Sequence, residues 1–115
     1  MSVRIYHNPR CSKSRQTLQL LRDRGIEPEV VEYLKHPPSA VELDAIIRAL
    51  GIQPRDLMRR KEAPYTDLKL DDPAMARGDL LMAMVENPVL IERPIVVNGD
   101  KVAIGRPPEA VLAIL

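Results

Sequence analysis

Cys11 is the single cysteine of the chain, and it sits in His7-Asn8-Pro9-Arg10-Cys11-Ser12-Lys13-Ser14-Arg15. An apolar stretch before the motif, Val3 to Tyr6, reads as a strand, and Gln16 to Arg24 after it reads as a helix. A cysteine at such a strand-to-helix turn lies at a helix N-terminus, where unpaired backbone N–H groups favour negative charge. Those groups, with Arg10, Lys13, Arg15 and His7, are expected to lower the thiol pKa and favour the nucleophilic thiolate. The competing reading is a small buried hydrophobe, the usual fate of a free cysteine. Basic neighbours and a cap position are poor core surroundings, which favours the reactive reading.

A lone thiolate needs an electrophile, and four chemistries compete for it. A dithiol oxidoreductase needs C-x-x-C, but Cys11-Ser12-Lys13-Ser14 ends in serine, which excludes an internal resolving disulfide. A monothiol glutaredoxin tolerates C-x-x-S and stays open. A cysteine phosphatase of the C-x5-R type would need arginine at position 17, where Thr17 stands. The fourth chemistry is thiolate attack on a tetrahedral oxyanion, followed by rescue from an external thiol. Arg59, Arg93 and Arg106 bear on that choice: each falls in a loop or at an element edge, and the last two abut Pro94 and Pro107. Arginine is always charged and grips oxyanions with paired donors. Taken singly, each is more often a solvated surface charge; two that flank predicted core strands and abut prolines are less easily dismissed.

The elements that must position these groups follow from pattern. Glu29-Val30-Val31-Glu32-Tyr33 reads as a second strand, so strand, helix and strand form a βαβ unit with parallel strands and a right-handed crossover. Gly25 suits the end of the helix between them. Ser39-Ala40-Val41-Glu42 is a capping box. Leu43, Ile46, Ile47 and Leu50 follow at helical spacing, with Gly51 as the stop. Pro54 to Met58 predicts a short turn, and Pro73 to Glu86 a longer helix carrying Leu80, Leu81, Met84 and Val85. Met75, Met82 and Met84 read as core filling. Ile95-Val96-Val97 and Lys101-Val102-Ala103-Ile104 flank Asn98-Gly99-Asp100, a hairpin with an expected type I′ turn. Pro107 or Pro108 then opens a last helix with Val111, Leu112 and Leu115 inward. The order β-α-β, helices, β-β-α predicts an α/β fold of thioredoxin and glutaredoxin type, a mixed sheet with a helical insertion at about residues 39–87. Sites in such sheets form beyond the carboxyl ends of parallel strands, where Cys11 falls.

Composition narrows the classes further. The length of 115 residues suits one domain over 1–115. No Trp or Phe and only three Tyr predict an aliphatic core and argue against a base-stacking surface. A net charge of +1 gives no polyelectrolyte attraction to nucleic acid or membrane. No apolar run is long enough to span a bilayer or serve as a signal peptide. One cysteine fits a reducing cytoplasm, and with two histidines makes a closed protein-built zinc site a poor expectation, so no metal is expected. The eleven prolines fall at element boundaries as punctuation.

The chain closely resembles the glutaredoxin-linked arsenate reductases of the ArsC family. The resemblance is carried by Ile5-Tyr6-His7-Asn8-Pro9-Arg10-Cys11-Ser12-Lys13-Ser14-Arg15, Gly51 through Tyr65, Arg93-Pro94-Ile95-Val96-Val97 and Gly105-Arg106-Pro107-Pro108-Glu109, and runs on to Leu115. It implies that the Cys11 thiolate attacks arsenate while Arg59, Arg93 and Arg106 hold the oxyanion. Arg59 is taken over Arg60 from its spacing between Gly51 and Pro64-Tyr65. The family's active-site histidine and serine correspond to His7 and Ser14. His7 would tune the loop, or cap a strand end; Ser14 would donate a hydrogen bond to sulfur, or cap the helix. The resemblance further implies a cis Arg93-Pro94 bond, glutathione as co-substrate, glutaredoxin as partner and no tightly bound cofactor; a cytoplasmic location follows from the lone cysteine, and a monomer is the default for a chain of this size. The rival enzyme is a glutathione-dependent thiol transferase. The rival binding module is an Spx-type regulator of RNA polymerase, against which Ser14 and the arginine set argue. A purely structural role would leave an exposed thiol unexplained.

Overall fold

The structure, a computed structural model, describes residues 2–115. They fall into two compact units, one formed by residues 2–36 with Arg93–Leu115 and the other by Pro37–Glu92. The first unit is built on a four-stranded mixed sheet. Strand β1 (Val3–His7) pairs in parallel with β2 (Glu29–Glu32) and antiparallel with β3 (Ile95–Asn98), which pairs with β4 (Lys101–Ile104). The order is therefore β2-β1-β3-β4, the α/β thioredoxin-like arrangement expected. Central β1 is buried on both faces, so Val3, Ile5, Tyr6 and His7 are all inside.

Helix α1 (Ser12–Asp23) makes the βαβ crossover and starts four residues earlier than the apolar pattern suggests. Gly25 at φ +75 closes it, with its N–H donating to Arg22 O and that of Ile26 to Leu21 O, the paired bonds of a Schellman ending. Leu21 joins Val3, Ile5, Val96 and Val111 in the core of this unit. An aliphatic core was expected from the lack of Trp and Phe.

Two expectations in this unit are corrected. The hairpin pairs Asn98 with Lys101, so its loop is Gly99-Asp100 and Asn98 belongs to the strand instead of the turn. Gly99 has φ +66 while Asp100 is not among the positive-φ residues, the pattern of a type II′ turn and not type I′. The last element is a 3₁₀ helix, Pro108–Ile114. At three residues per turn it turns Pro108, Val111 and Ile114 inward; Leu112 is only half-buried and Leu115 is exposed. Asn98 Nδ2 ties it to the hairpin by donating to Ile114 O at 2.6 Å.

The second unit is helical. Helix α2 (Ala40–Leu50) has the expected capping box, with Ser39 and Glu42 bonded reciprocally, and ends at Gly51 at φ 69. Leu43, Ile46 and Ile47 are buried, while Leu50 is half-buried. A 3₁₀ turn, Pro54–Leu57, follows. Helix α3 (Ala63–Asp67) was not foreseen, being too short for periodicity to register. Helix α4 (Arg77–Glu86) starts four residues after Pro73, because residues 73–75 are used in turns bonded to Asp72. Asp44 of α2 accepts from Arg48 and from Arg77 of α4, both at 2.8 Å, and so ties the two helices. Of the methionines read as core, Met84 is fully buried but Met82 is exposed, and Met75 is half-buried. Among the described residues no helix is long and apolar enough to cross a membrane.

Candidate active site

His7 ends β1, and the next three residues make the turn into α1. Within it, Asn8 does most of the holding. Its carbonyl accepts the Cys11 N–H at 3.0 Å and its side-chain oxygen accepts the Arg10 N–H at 3.0 Å. Arg15, one turn into the helix, donates from Nη1 to Pro9 O at 3.0 Å. Cys11 is thereby fixed as the N-cap of α1, in extended conformation, where orphan N–H groups gather.

Cys11 is only 8% exposed, which corrects the expectation of an exposed cysteine, yet its surroundings are polar. Arg106 Nη2 donates to Cys11 Sγ at 3.5 Å. Burial pushes the Cys11 pKa up, but the backbone N–H groups of Ser14 and Lys13 and the charges of Arg93 and Arg106 outweigh it and hold the pKa below the ordinary thiol value. The principal charges are thus arginines distant in sequence, and not the loop's own Arg10, Lys13 and Arg15; Lys13 acts through its backbone.

Arg93 precedes β3 and Arg106 follows β4, so one hairpin delivers both to the sulfur. Arg106 Nε donates to Arg93 O at 2.8 Å, which orients its guanidinium. Arg93-Pro94 is cis, and so is Arg106-Pro107, which nothing in the sequence reading anticipated. Between the two arginine turns, Gly105 N–H donates to Pro94 O at 2.9 Å.

Ser14 is fully buried. Its Oγ lies 2.6 Å from His7 Nδ1 and accepts the Asn8 N–H at 3.0 Å, while its own N–H reaches the sulfur. The hydroxyl therefore fastens the strand end to the helix, and the backbone contacts the thiol. The His7 pKa is lowered: burial is the main cause, Arg22 and Arg15 add to it, and Glu32 opposes it. A neutral imidazole follows, suited to holding Ser14.

Arg59 belongs to the other unit. There its N–H donates to Leu90 O at 2.7 Å beside the Met58–Ile91 bridge, and Nη2 pairs with Glu62 Oε1 at 2.9 Å. Arg60 reaches Asp56 at only 3.6 Å, with its side chain 56% exposed against 23% for Arg59. The better-anchored guanidinium is thus Arg59.

A second feature of the turn escaped the sequence reading. Between the carboxyl ends of β1 and β2 lies a pocket of about 220 Å³, lined by His7, residues 8–10, Glu32, Leu34 and Lys35. Its signal was topological, since open sheets place sites beyond the carboxyl ends of parallel strands. Among the described residues no cluster of three or more His, Cys, Asp or Glu is placed to hold a metal ion.

Residues 6–114 match the sequence model of the ArsC family. The chain is 54% identical to the uncharacterized protein YfgD of Escherichia coli, over 98% of this chain and 96% of that one. It is 53% identical to an arsenate reductase of Haemophilus influenzae, over the full length of both. A solved arsenate reductase from Vibrio cholerae superposes with a TM-score of 0.96 at 52% identity, covering 100% of this chain and 98% of the other.

Proposed function

The chain belongs to the ArsC family, and from that footing we propose that it reduces arsenate to arsenite through Cys11, with glutathione and glutaredoxin as reductants. The observation that carries the reading is the 3.5 Å approach of Arg106 to Cys11 Sγ. It sets a guanidinium, a group chemically suited to gripping oxyanions, beside a thiol whose pKa is lowered.

Arsenate binds against the helix N-terminus with its charge on Arg93 and Arg106; the family's sequence pattern gives Arg59 an oxyanion-binding role as well. The Cys11 thiolate displaces one arsenate oxygen, which leaves as water after protonation, and an S–As(V) bond forms. A glutathione thiolate then attacks Cys11 Sγ. The S–As electron pair passes to arsenic, giving As(III), and a Cys11–glutathione disulfide forms. Glutaredoxin takes the glutathione by thiol exchange and frees the Cys11 thiolate, since the chain has no second cysteine to do so. No metal or bound cofactor enters any step. A reducing, glutathione-containing cytoplasm and a monomeric enzyme complete the reading.

The test is arsenate-dependent NADPH oxidation in a coupled assay with glutathione, glutaredoxin and glutathione reductase. Turnover should require arsenate, glutaredoxin and Cys11, and Cys11→Ser should abolish it. A reactive Cys11 with no arsenate-dependent turnover would overturn the reading.

A further inference from the structure

The pocket beside the Cys11 turn carries charge in a definite pattern. Arg10 and Lys35 are cations and Glu32 an anion, set against the apolar bodies of Leu34 and Pro9. Lys35 Nζ and Glu32 Oε1 lie 3.9 Å apart, with the lysine side chain 74% and the glutamate 44% exposed, an edge-of-range pair that a ligand can exchange for its own charges. At about 220 Å³ the pocket is smaller than the roughly 300–1,000 Å³ of ligand sites that enclose drug-sized molecules. It would therefore seat the charged part of a small ligand and leave the rest to extend along the turn.

Position adds a second constraint. In the strand order β2-β1-β3-β4, Arg93 and Arg106 reach Cys11 from the β3–β4 side. The pocket opens on the β2 side, against the residues whose carbonyl and side chain fix Cys11. The turn thus has a guanidinium flank and a separate mixed-charge flank. The mixed-charge flank reaches as far as Arg10, the residue before Cys11, so a ligand seated there leaves the guanidinium flank to the oxyanion.

We propose that this pocket is the docking site of the thiol co-substrate, a peptide thiol with two carboxylates and one ammonium group such as glutathione. The carboxylates pair with Arg10 and Lys35 and the ammonium with Glu32. The ligand's net negative charge meets a net positive pocket, with the cysteinyl thiol directed along residues 8–10 toward Cys11. The assignment rests on the reductase reading for its chemistry, but its binding step can be measured without turnover.

The probe is S-methylglutathione, which keeps both carboxylates and the ammonium and cannot react. Titrated into the Cys11→Ser protein and followed by NMR, it should shift amide signals of residues 7–10 and 32–35. Arg10→Glu with Lys35→Glu should weaken its binding about tenfold or more and raise the KM for glutathione in parallel. Intact amide spectra in the doubly substituted protein guard against a folding artefact. Binding that is absent, that maps to residues 93–107, or that is indifferent to the two substitutions overturns the site. Arsenate turnover with an unshifted KM for glutathione removes the site and leaves the reductase reading standing. Binding at residues 7–10 and 32–35 without arsenate turnover keeps the site and removes that reading.

Discussion

Replacing Gly105 with alanine tests whether close packing of α1 against the arginine hairpin sets the chemistry at Cys11. A Cβ at this position would stand 2.5 Å from Thr17 Oγ1, 2.7 Å from Pro94 Cγ and 3.0 Å from Thr17 Cγ2. Carbon atoms in comfortable contact are about 3.5–4.0 Å apart, so some wall must retreat by about 1 Å. Thr17 resists, because it is fully buried and its hydroxyl donates to Lys13 O at 2.8 Å. Pro94 resists as a rigid buried ring whose carbonyl already holds Gly105 N–H at 2.9 Å. The backbone of Gly105 is left to move, and Arg106 moves with it. Overpacking of this kind costs about 1–3 kcal/mol of stability. A shift of Arg106 from 3.5 Å to about 4.5 Å from the sulfur weakens a guanidinium–thiolate attraction by about 1 kcal/mol at an effective dielectric of ~20, and by less after solvent screening. Misplacement by about 1 Å can itself cost up to about 100-fold in rate. The expected outcome is a lower Tm, a raised Cys11 pKa by ultraviolet thiolate absorbance, and a kcat/KM for arsenate reduced roughly 10- to 100-fold. Thr17→Ala removes two of the three crowding atoms, so the added cost of Gly105→Ala should shrink in that background. Wild-type Tm and thiolate titration in Gly105→Ala would refute the reasoning. An undiminished penalty in the Thr17→Ala background would remove Thr17 from it.

The other expectations concern charge. Arg106→Ala should raise the Cys11 pKa, read from the pH dependence of iodoacetamide alkylation; an unmoved profile would mean that the helix N–H groups alone hold the thiolate. Arg59→Ala should lower kcat/KM for arsenate by about 10-fold or more, while Arg60→Ala stays within about 3-fold; the reverse ranking would transfer the role to Arg60. His7 is pushed below its ordinary pKa, so the unfolded chain binds its proton more readily than the native one. Stability should therefore be full above about pH 6.5 and fall as pH drops through the lowered native pKa. Urea unfolding of His7→Gln should show a flatter profile in that window, and equal slopes would place the titration elsewhere.

What the sequence discloses here is what is local in the chain. The capping box at Ser39 and Glu42, the Gly25 and Gly51 stops and the cap position of Cys11 each depend on residues a few places apart, and each was readable. The cationic neighbours of Cys11 were misjudged for the complementary reason. Arg10, Lys13 and Arg15 are close in sequence, but the strand-to-helix turn leaves all three exposed, while the sheet order brings Arg93 and Arg106 to the sulfur. Register and period were the other weak points. Asn98-Gly99 is a strong turn signal, but Asn98 is taken into the ladder opposite Lys101, and a 3₁₀ helix replaces Leu112 and Leu115 by Pro108 and Ile114 on the inner side. The Glu32–Lys35 side of the pocket carries no motif at all and emerges only when two parallel strands end together.

Arg106 lies 95 residues after Cys11, and that interval has a consequence in time. At roughly 5–20 residues per second of translation, the cysteine leaves the ribosome on the order of 5–20 s before its guanidinium partner. During that interval the residues of α1 form at most a short isolated helix, marginal in water, and β1 lacks its β3 neighbour. The nascent thiol therefore keeps ordinary acidity and stays largely protonated at neutral pH. The share of its activation that Arg93 and Arg106 supply arises only as the hairpin closes the sheet, so the thiol reaches its full reactivity last.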